Sequence, residues 1–302
     1  MKIKYIHYGL TLLYSYYLPL FNIVETSQGF IFEKVFGVAK GLKCMFKEYE
    51  LLTECNIPSH VSRNNVVKLL GLNKSSFFAD ICRIINMEKC VSSNITLVNG
   101  DEDAKYVFYA IYLSRNTDYY VNTIKWTKQA ITDGYIDSSS YIAREFNEVK
   151  ESIDKVFNNL NRPEELIIDL LSIRGVSVKS VTALMLHSYG LTNYAPIDRH
   201  YANYLRSRLK QPVKNTCIKL KLNCEVCPRD CIYKYTLKKH GVYNGVLQSL
   251  VYIYDRLRLK KRSEVEKILV KDPSIYLDKI EDLLIHARSM NIGSIDNKLG
   301  VI

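Results

Sequence analysis

The feature that most constrains the fold is an apolar helix end, a glycine and a new helix start within residues 171–183. Leu170 and Ile173 supply an apolar face, and Gly175 allows a backbone conformation that is closed to other residues. A helix is predicted to begin directly afterwards, so the segment forms a tight hairpin of two helices. The backbone N–H groups at such a helix start can hold a phosphate oxygen. Gly175 and Ser177 are therefore candidate phosphate-binding positions, although an ordinary turn between two helices has the same pattern.

Composition indicates a globular protein with a surplus of positive charge. With 302 residues, the chain can bury one large core or about two or three modest ones. Hydrophobic residues make up 47% and charged residues 24%, which is typical of a folded rather than a disordered chain. The formal net charge of +11 favours a polyanionic partner such as a nucleic acid, although lysines that only maintain solubility would give the same charge.

The first residues contain a stretch that superficially resembles a secretion signal or membrane anchor. Lys2 and Lys4 precede an uncharged run from residue 5 to residue 24. This run holds several tyrosines together with His7 and Pro19, so it is too polar for a good membrane span, and no small-x-small cleavage site follows it. The run is therefore predicted to be a buried part of the fold, as strands or a helix, in a cytoplasmic, nucleoid-associated protein without membrane contact.

Helical periodicity dominates the chain from residue 101 onward. Asp101 or Asp103 can cap the first of these helices. A helical pattern also covers residues 61–86. The helices predicted after residue 100 lie near residues 104–113, 119–130, 141–160, 163–174, 178–186, 201–209, 246–257 and 280–287.

The eight cysteines fall into two groups. Four are scattered through apolar or mixed surroundings and are predicted to be buried thiols: Cys44, Cys55, Cys82 and Cys90. The other four lie within fifteen residues, which is typical of a metal site: Cys217, Cys224, Cys227 and Cys231. This distribution favours a reducing, intracellular compartment.

Three segments together resemble the endonuclease III superfamily of DNA glycosylases. LSIRGVSVKSVTA at residues 171–183 and PIDRH at residues 196–200 are similar to the helix-hairpin-helix and Gly/Pro-Asp signature of that superfamily. LSRNTDYYVN at residues 113–122 resembles the segment that approaches the lesion. Because the three segments occur in the expected order, they are more specific together than any one of them alone. The resemblance covers residues 101–231.

The resemblance implies a mainly α fold in three parts. Residues 101–210 would form the helix-hairpin-helix glycosylase core, a multi-helix barrel, and residues 211–302 an iron–sulfur cluster loop followed by C-terminal helices. Residues 1–100 lie outside the resemblance. Their mixture of strand-like and helix-like patterns suits an N-terminal extension of α+β class.

Lys179 occupies the position at which bifunctional members of that superfamily carry their nucleophilic lysine. It is predicted to lie in the first turn of a helix, where the positive end of the helix dipole disfavours an ammonium group. A neutral amine can attack the sugar C1′, expel the base and form a Schiff base, which permits strand cleavage by β-elimination. A lysine that merely contacts phosphate is the alternative.

Asp198 matches the aspartate of the same signature. Its carboxylate can stabilise positive charge on the sugar and help to move protons. Asp198 also precedes a predicted helix, so an N-cap is the alternative, and the two roles are compatible. Arg199 and His200 are predicted to contact phosphate or to pack locally.

Arg115 and Asn116 are candidates for the DNA contact that fills the gap left by a flipped nucleotide. The alignment slips by one residue here, so either of them can take this role. A solvated loop is the alternative.

The clustered cysteines resemble the four-cysteine iron–sulfur motif of the superfamily. The last gap in that motif is usually longer than the three residues between Cys227 and Cys231. Four thiolates suit a [4Fe–4S] cluster or, alternatively, tetrahedral zinc, and the resemblance favours the iron–sulfur cluster. Lys219 and Lys221 lie between the first two cysteines and are candidate DNA-binding residues on the loop that such a cluster would organise.

These resemblances imply a monomeric DNA repair enzyme, a bifunctional glycosylase and abasic-site (AP) lyase whose substrate class is oxidised pyrimidines. An oxoguanine or mismatch glycosylase on the same scaffold and a non-catalytic DNA-binding repair protein are the alternatives. The expected partner is double-stranded DNA that contains a damaged base or an abasic site. One departure from the superfamily pattern is Ser177, which replaces the second glycine of the hairpin and is expected to adopt the glycine geometry at a steric cost.

Overall fold

A computed structural model describes residues 1–87, 90–159, 163–205, 231–290 and 292 of the chain. The N-terminal region forms a five-stranded antiparallel sheet with the strand order β1-β5-β4-β3-β2. Phe30 and Phe32 alternate along β3, lie opposite Phe46 and Cys44 of β4, and are buried on the core face of the sheet. The strands are β1 (Lys2–Lys4), β2 (Phe21–Thr26), β3 (Gly29–Lys34), β4 (Lys43–Lys47) and β5 (Leu52–Asn56).

Most of the uncharged N-terminal run is a buried part of the fold, as predicted, although Tyr5 and Val24 at its two ends are exposed. It forms helix α1 (Tyr8–Leu13), in which every residue is buried, and continues through a short 3₁₀ turn into β2. His7 caps α1 because its side chain accepts a hydrogen bond from the Leu10 N–H. Among the residues that the structure describes, no helix is long and apolar enough to span a membrane.

The scattered cysteines are disulfide-bonded, so their interpretation as buried thiols is wrong. Cys44 and Cys55 lie opposite each other on β4 and β5, with their Cα atoms 4.0 Å apart, and form one disulfide. Cys82 and Cys90 form another, with a Cα–Cα distance of 5.7 Å. A β-hairpin and a helix–loop turn bring residues that are close in sequence within bonding reach. Because these four cysteines are paired, they no longer support the prediction of a reducing compartment.

The helices predicted after residue 100 are present wherever the structure describes them, although the one predicted over residues 201–209 extends into residues outside the described ranges. The helices Ile232–His240 and Glu264–Leu269 were not predicted. Helix α4 has the predicted bounds, whereas the pattern over residues 61–86 divides into two helices at Gly71, whose φ is +68°. The remaining helices are α2 (Arg63–Leu69), α3 (Ser75–Ile84), α4 (Ala104–Leu113), α5 (Ile124–Thr132), α6 (Tyr141–Asn158), α7 (Pro163–Ser172), α8 (Val178–His187), α9 (Arg199–Tyr204), α10 (Ile232–His240), α11 (Asn244–Leu257), α12 (Glu264–Leu269) and α13 (Ser274–Ser289).

Neither Asp101 nor Asp103 caps α4 with its side chain, so the predicted cap is wrong. Asp103 is buried and forms an ion pair with Lys34 of β3, with 2.8 Å between Nζ and Oδ2. Its other carboxylate oxygen accepts a hydrogen bond from the Val38 N–H at 2.8 Å. Asp101 instead forms an ion pair with Lys68 of α2. The Asp103 carboxylate therefore bonds to Lys34 and Val38 of the N-terminal region and not to the N–H groups at the start of its own helix.

One continuous hydrophobic core joins the sheet to the helices, and it extends from Ile3 to Ile292 within the described residues. Helix α12 packs against α1, β2 and β3, although nearly the whole chain separates them in sequence. Helix α11 packs against α9 and α13, and α8 packs against α4 and α7. These contacts place the end of α7, the start of α8 and the start of α9 around one side of the helical region.

Candidate active site

The predicted hairpin is present between α7 and α8, and its glycine has the conformation that the sequence requires. Gly175 has φ +79°, in the left-handed region that favours glycine. A Cβ atom at this position would lie well within 3.0 Å of Arg115 Nη1 and Glu145 Oε1. Ser177 has φ −123° and is the N-cap residue of α8. The expected steric cost at Ser177 is therefore wrong, because this position is extended and accepts any residue.

Arg115 is held against the hairpin by four contacts. Its Nη1 donates to the Gly175 carbonyl at 2.6 Å and its Nε to the Tyr112 carbonyl at 2.9 Å. Its guanidinium lies 3.8 Å from the centre of the Tyr112 ring, and its Nη2 is 3.4 Å from Glu145 Oε1. Arg115 thus stabilises the backbone turn itself rather than projecting from it.

Asn116 projects from the next position of the same loop. Its φ is +51°, a conformation that asparagine tolerates better than most residues. Its side-chain amide donates to the hydroxyl of Tyr141 at 3.3 Å, and the Tyr141 side chain is itself 55% exposed. Asn116 also lines a cavity that lies next to the hairpin. Of the two residues predicted for the flipped-nucleotide gap, Asn116 is therefore the one placed at the cavity.

The cavity has a volume of about 720 Å³ and brings together the two residues predicted to be catalytic. Lys179 comes from the start of α8 and Asp198 from the start of α9, so each side chain is positioned by a helix N-terminus. The other lining residues are Tyr14, Tyr16, Ser114, Asn116, Thr117, Asp118, Tyr119, His187, Pro196, Ile197, Arg199, His200, Gln248, Tyr252 and Arg256.

Lys179 and Asp198 differ in how tightly they are held. Lys179 is the second residue of α8 and is exposed. Asp198 caps α9 because its Oδ1 accepts the Tyr201 N–H at 2.8 Å, which confirms the N-cap prediction. Its Oδ2 accepts a hydrogen bond from Gln248 Nε2 at 3.2 Å. Both carboxylate oxygens of Asp198 are thus fixed in orientation, whereas the Lys179 amine forms no hydrogen bond or ion pair with the described residues.

The two residues after Asp198 also line the cavity. His200 packs locally, since its Nδ1 lies 2.8 Å from Asp255 Oδ2 and its ring is edge-on to Tyr252 at 5.6 Å. Arg199 is exposed at the start of α9. The position of Arg199 suits contact with a ligand anion, whereas His200 already has an acidic partner within the chain.

Aromatic and amide side chains that the sequence did not single out form much of the cavity wall. The Tyr16 ring is edge-on to Tyr119, with centroids 5.5 Å apart, and edge-on to His187 at 4.9 Å. Gln248 and Tyr252 enter from α11, one helical turn apart. The chain has 23 tyrosines, so abundance alone could not distinguish the few at the site from those in the core.

His187 is the most deeply buried polar side chain of the cavity wall. It is 2% exposed, and burial lowers the pKa of its imidazole to about 3. Its Nδ1 has no hydrogen-bond partner among the residues that the structure describes. No sequence signal marks this residue, because it lies on the same apolar helix pattern as its core neighbours.

Most of the predicted cysteine cluster falls outside the described residues. This applies to Cys217, Cys224 and Cys227, and also to the candidate DNA-binding residues Lys219 and Lys221. Cys231 is described; it is a half-buried free thiol at the N-cap of α10, and its Sγ accepts the Lys234 N–H at 3.4 Å. Within the described ranges, no group of three or more His, Cys, Asp or Glu side chains forms a metal site.

Comparison with known proteins identifies the fold. No family model and no curated protein matches the sequence. Two solved structures of the 8-oxoguanine glycosylase/lyase of Clostridium acetobutylicum match the structure. One contains double-stranded DNA with cytosine opposite 8-oxoguanine, has a TM-score of 0.54 and 15% identity, and covers 84% of this chain and 93% of that chain. The other is the apo form, with a TM-score of 0.52, 14% identity, and coverage of 83% and 93%.

The chain has the fold of these glycosylase/lyases. The match extends well beyond the segment 101–231 on which the endonuclease III resemblance rests, because that segment is less than half of the chain and the match covers 84% of it. Much of the N-terminal region, including residues that the sequence resemblance left unexplained, therefore belongs to the shared fold. The match supports the helix-hairpin-helix glycosylase fold rather than the endonuclease III branch in particular.

Proposed function

We propose that the protein is a bifunctional DNA glycosylase and AP lyase of base excision repair that removes an oxidised purine of the 8-oxoguanine type. The proposal rests on the observation that Lys179 and Asp198 line one cavity beside the Gly175 hairpin. The structural neighbours are 8-oxoguanine glycosylase/lyases, which favours an oxidised purine over the oxidised pyrimidines expected from sequence. A net charge of +11 suits a partner that is a polyanion.

The DNA would bind across the hairpin with one base turned out into the cavity. Backbone N–H groups at the start of α8 would hold a phosphate without reading sequence. Asn116 and the exposed ring of Tyr141 lie together at the rim and would fill the space that the everted nucleotide leaves. The cavity volume of about 720 Å³ accommodates a nucleoside, and its tyrosine rings offer faces on which a base can stack.

Lys179 would carry the chemistry. Its neutral amine attacks C1′ of the deoxyribose, the glycosidic bond breaks, and the electron pair of that bond leaves with the base, which takes up a proton. Opening of the C1′–O4′ bond gives a Schiff base between Nζ and C1′. Removal of a C2′ proton then expels the 3′ phosphate by β-elimination, and water hydrolyses the imine to release the lysine.

Asp198 would stabilise the positive charge that develops on the sugar as the base departs. The Tyr201 N–H and the Gln248 amide each donate to one of its oxygens, which fixes the carboxylate before the substrate arrives. A fixed carboxylate needs no reorganisation when the charge appears, and this lowers the barrier for base loss. The hydrogen bond from Gln248 also links Asp198 to the wall of the cavity where the base would lie, because Gln248 lines that cavity.

Borohydride trapping tests the proposal directly. The reagent reduces a Schiff base to a stable amine, so duplexes that contain 8-oxoguanine or an abasic site should become covalently attached to the native protein. Lys179→Ala should abolish attachment. Lys155→Ala, which removes a lysine that is 69% exposed on α6, should attach as the native protein does. Folded native protein that binds the duplexes but attaches to none of them would exclude the lysine Schiff base, and the absence of base release as well would identify a non-catalytic DNA-binding protein.

We also propose that the four clustered cysteines hold a [4Fe–4S] cluster, with tetrahedral zinc as the alternative. The Cys231 thiol supports the proposal, because it is free and half-buried and so remains available as a ligand. The bound group would order the loop that carries Lys219 and Lys221 for contact with DNA.

Metal content tests this second proposal. Protein purified without oxygen should be brown and should contain iron and acid-labile sulfide. Cys231→Ser should lose both, whereas Cys90→Ser, which alters a cysteine of the Cys82–Cys90 disulfide, should retain them. Colourless protein that contains zinc would establish the alternative site.

A further inference from the structure

His187 lies in the cavity but has no part in the lysine and aspartate chemistry. It is the last residue of α8, and its ring packs edge-on against Tyr16 at 4.9 Å and near Tyr14 at 5.8 Å. Only 2% of the residue is exposed, and its Nδ1 is buried without a hydrogen-bond partner among the described residues. Nε2 forms no hydrogen bond with the described residues either, but it is not enclosed as Nδ1 is, so Nε2 is the ring nitrogen that a ligand in the cavity can reach.

The imidazole is neutral, which decides what it can bind. Burial lowers the pKa of His187 to about 3, so the ring carries no charge near neutral pH. A neutral imidazole has one N–H donor and one acceptor nitrogen. Orphaned N–H groups are rarer than orphaned acceptors in protein interiors, so we assign the acceptor to the buried Nδ1 and the proton to Nε2. The ring is then a hydrogen-bond donor for a neutral ligand.

A nucleotide whose sugar lies at Lys179 can place its base against His187. The two residues are at opposite ends of α8, so the helix separates their Cα atoms by about 12 Å along its axis. Both residues nevertheless line the same cavity, so one nucleotide can contact the amine and the imidazole together. If Lys179 attacks the sugar C1′, the attached base extends from that point into the cavity that His187 also lines.

We propose that His187 is a specificity-determining residue that donates a hydrogen bond from Nε2–H to a carbonyl oxygen of the everted base. The proposal rests on the proposed glycosylase function and adds which chemical group of the base is recognised. An oxidised purine such as 8-oxoguanine presents carbonyl oxygens at C6 and C8. A donor on a buried side chain favours such a base, because a base without an oxygen there would leave the N–H unpaired.

The test compares base excision with strand cleavage at a preformed abasic site, which has no base for His187 to bind. In His187→Leu, the ratio of 8-oxoguanine excision to abasic-site cleavage should fall about 10- to 100-fold. The side-chain nitrogen of glutamine can take the place of Nε2, whereas that of asparagine takes the place of Nδ1. His187→Gln should therefore restore most of the ratio and His187→Asn should not. His7→Gln, which alters another buried histidine, serves as the matched control.

Each outcome decides the proposal. A His187→Leu ratio equal to that of the native protein would overturn it, and so would excision and abasic-site cleavage that fall together, because that result indicates a structural role for His187. Recovery by asparagine but not by glutamine would contradict the Nε2 assignment. Native protein that cleaves no abasic site would overturn the proposed function itself, and the role of His187 with it.

Discussion

At the scale of single residues, Gly175 shows how one backbone conformation determines the shape of the site. Its φ of +79° turns the chain from α7 into α8, and its missing side chain makes room for Arg115 and Glu145. The sequence predicted this role because glycine alone adopts such a conformation freely. What packs against the glycine could not be predicted, since Arg115 reaches it from the loop after α4 and Glu145 from α6.

Gly175→Ala should destabilise the protein and weaken its binding to DNA. The added Cβ would combine left-handed strain with a clash against two side chains, so we expect a loss of about 2–4 kcal/mol in the free energy of unfolding. Gly134→Ala is the matched control, because Gly134 has φ +72° but no described atom within 4 Å of the new Cβ. It should cost only about 1 kcal/mol. Chemical denaturation measures both values, and equal losses would show that the clash is unimportant.

Buried histidines should make the protein unstable in mild acid. Burial lowers the pKa of both His187 and His240 to about 3, whereas an unfolded histidine has a pKa of about 6.5. The unfolded state therefore binds more protons as the pH falls below about 6.5, and each histidine reduces the unfolding free energy by about 1.4 kcal/mol per pH unit until its folded pKa is reached. Above about pH 6.5 their contribution is fully present.

Urea denaturation at about pH 5 and about pH 7 measures this dependence. His240→Gln should reduce the difference between the two pH values by about 2 kcal/mol, because it removes one of the two groups. His286→Gln alters an exposed histidine and should leave the difference as it is in the native protein. The same pH dependence in His240→Gln as in the native protein would contradict the assigned cause.

At the scale of elements, the loop after α4 supports the hairpin with one residue and faces the cavity with the next. Arg115 donates to the carbonyl of Gly175, while Asn116 faces the cavity and contacts Tyr141. The sequence predicted that one of the two residues fills the gap left by a flipped nucleotide but could not separate them, because adjacent positions in a loop can point in any direction. Contacts with α4, α6 and the hairpin decide which of them faces the cavity.

The two residues should therefore respond differently to substitution. Arg115→Ala should lower the free energy of unfolding by about 2 kcal/mol and weaken affinity for undamaged duplex, because it removes charged hydrogen bonds to the hairpin. Asn116→Gly should preserve stability, since glycine adopts φ +51° without strain, but should reduce excision about 10-fold or more. Denaturation, duplex binding and single-turnover excision measure the three quantities. Excision in Asn116→Gly that matches the native rate would exclude this residue from the gap.

At the scale of the whole molecule, the N-terminal sheet and the helical region are joined by a buried ion pair. Lys34 and Asp103 are 0% and 2% exposed and lie 2.8 Å apart. Burial lowers the pKa of Lys34, and the Asp103 carboxylate opposes that effect by stabilising the ammonium. The pair lies where β3 meets the start of α4, so it fixes the position of the sheet relative to the helices.

Asp103→Asn should be strongly destabilising, because it leaves the Lys34 ammonium buried without a counter-charge. We expect a loss of about 3–5 kcal/mol in the free energy of unfolding. The double variant Lys34→Met/Asp103→Leu, which removes both charges, should recover most of that loss. Denaturation of the single and double variants measures the coupling between the two positions. Additive losses in the double variant would show that the pair does not act as a unit.

The sequence by itself determined the local features of this protein. It located α4, α6 and α8 because their apolar residues recur at helical spacing, and it identified Gly175 and the Asp198 cap because their roles depend on neighbouring residues. The candidate catalytic pair was also available from sequence, although only through the resemblance of short motifs to a known superfamily.

Only the tertiary structure decided which distant residues share an environment. It joined cysteines across β-strands, paired Asp103 with a lysine of the sheet rather than with its own helix, and surrounded the Lys179 cavity with aromatic rings from α11 and the N-terminal segment. It also left His187 buried in that cavity without a partner for Nδ1 among the described residues. The physical reason is that backbone periodicity is set over a few residues, whereas burial, ion pairing and the shape of a cavity depend on which segments pack together.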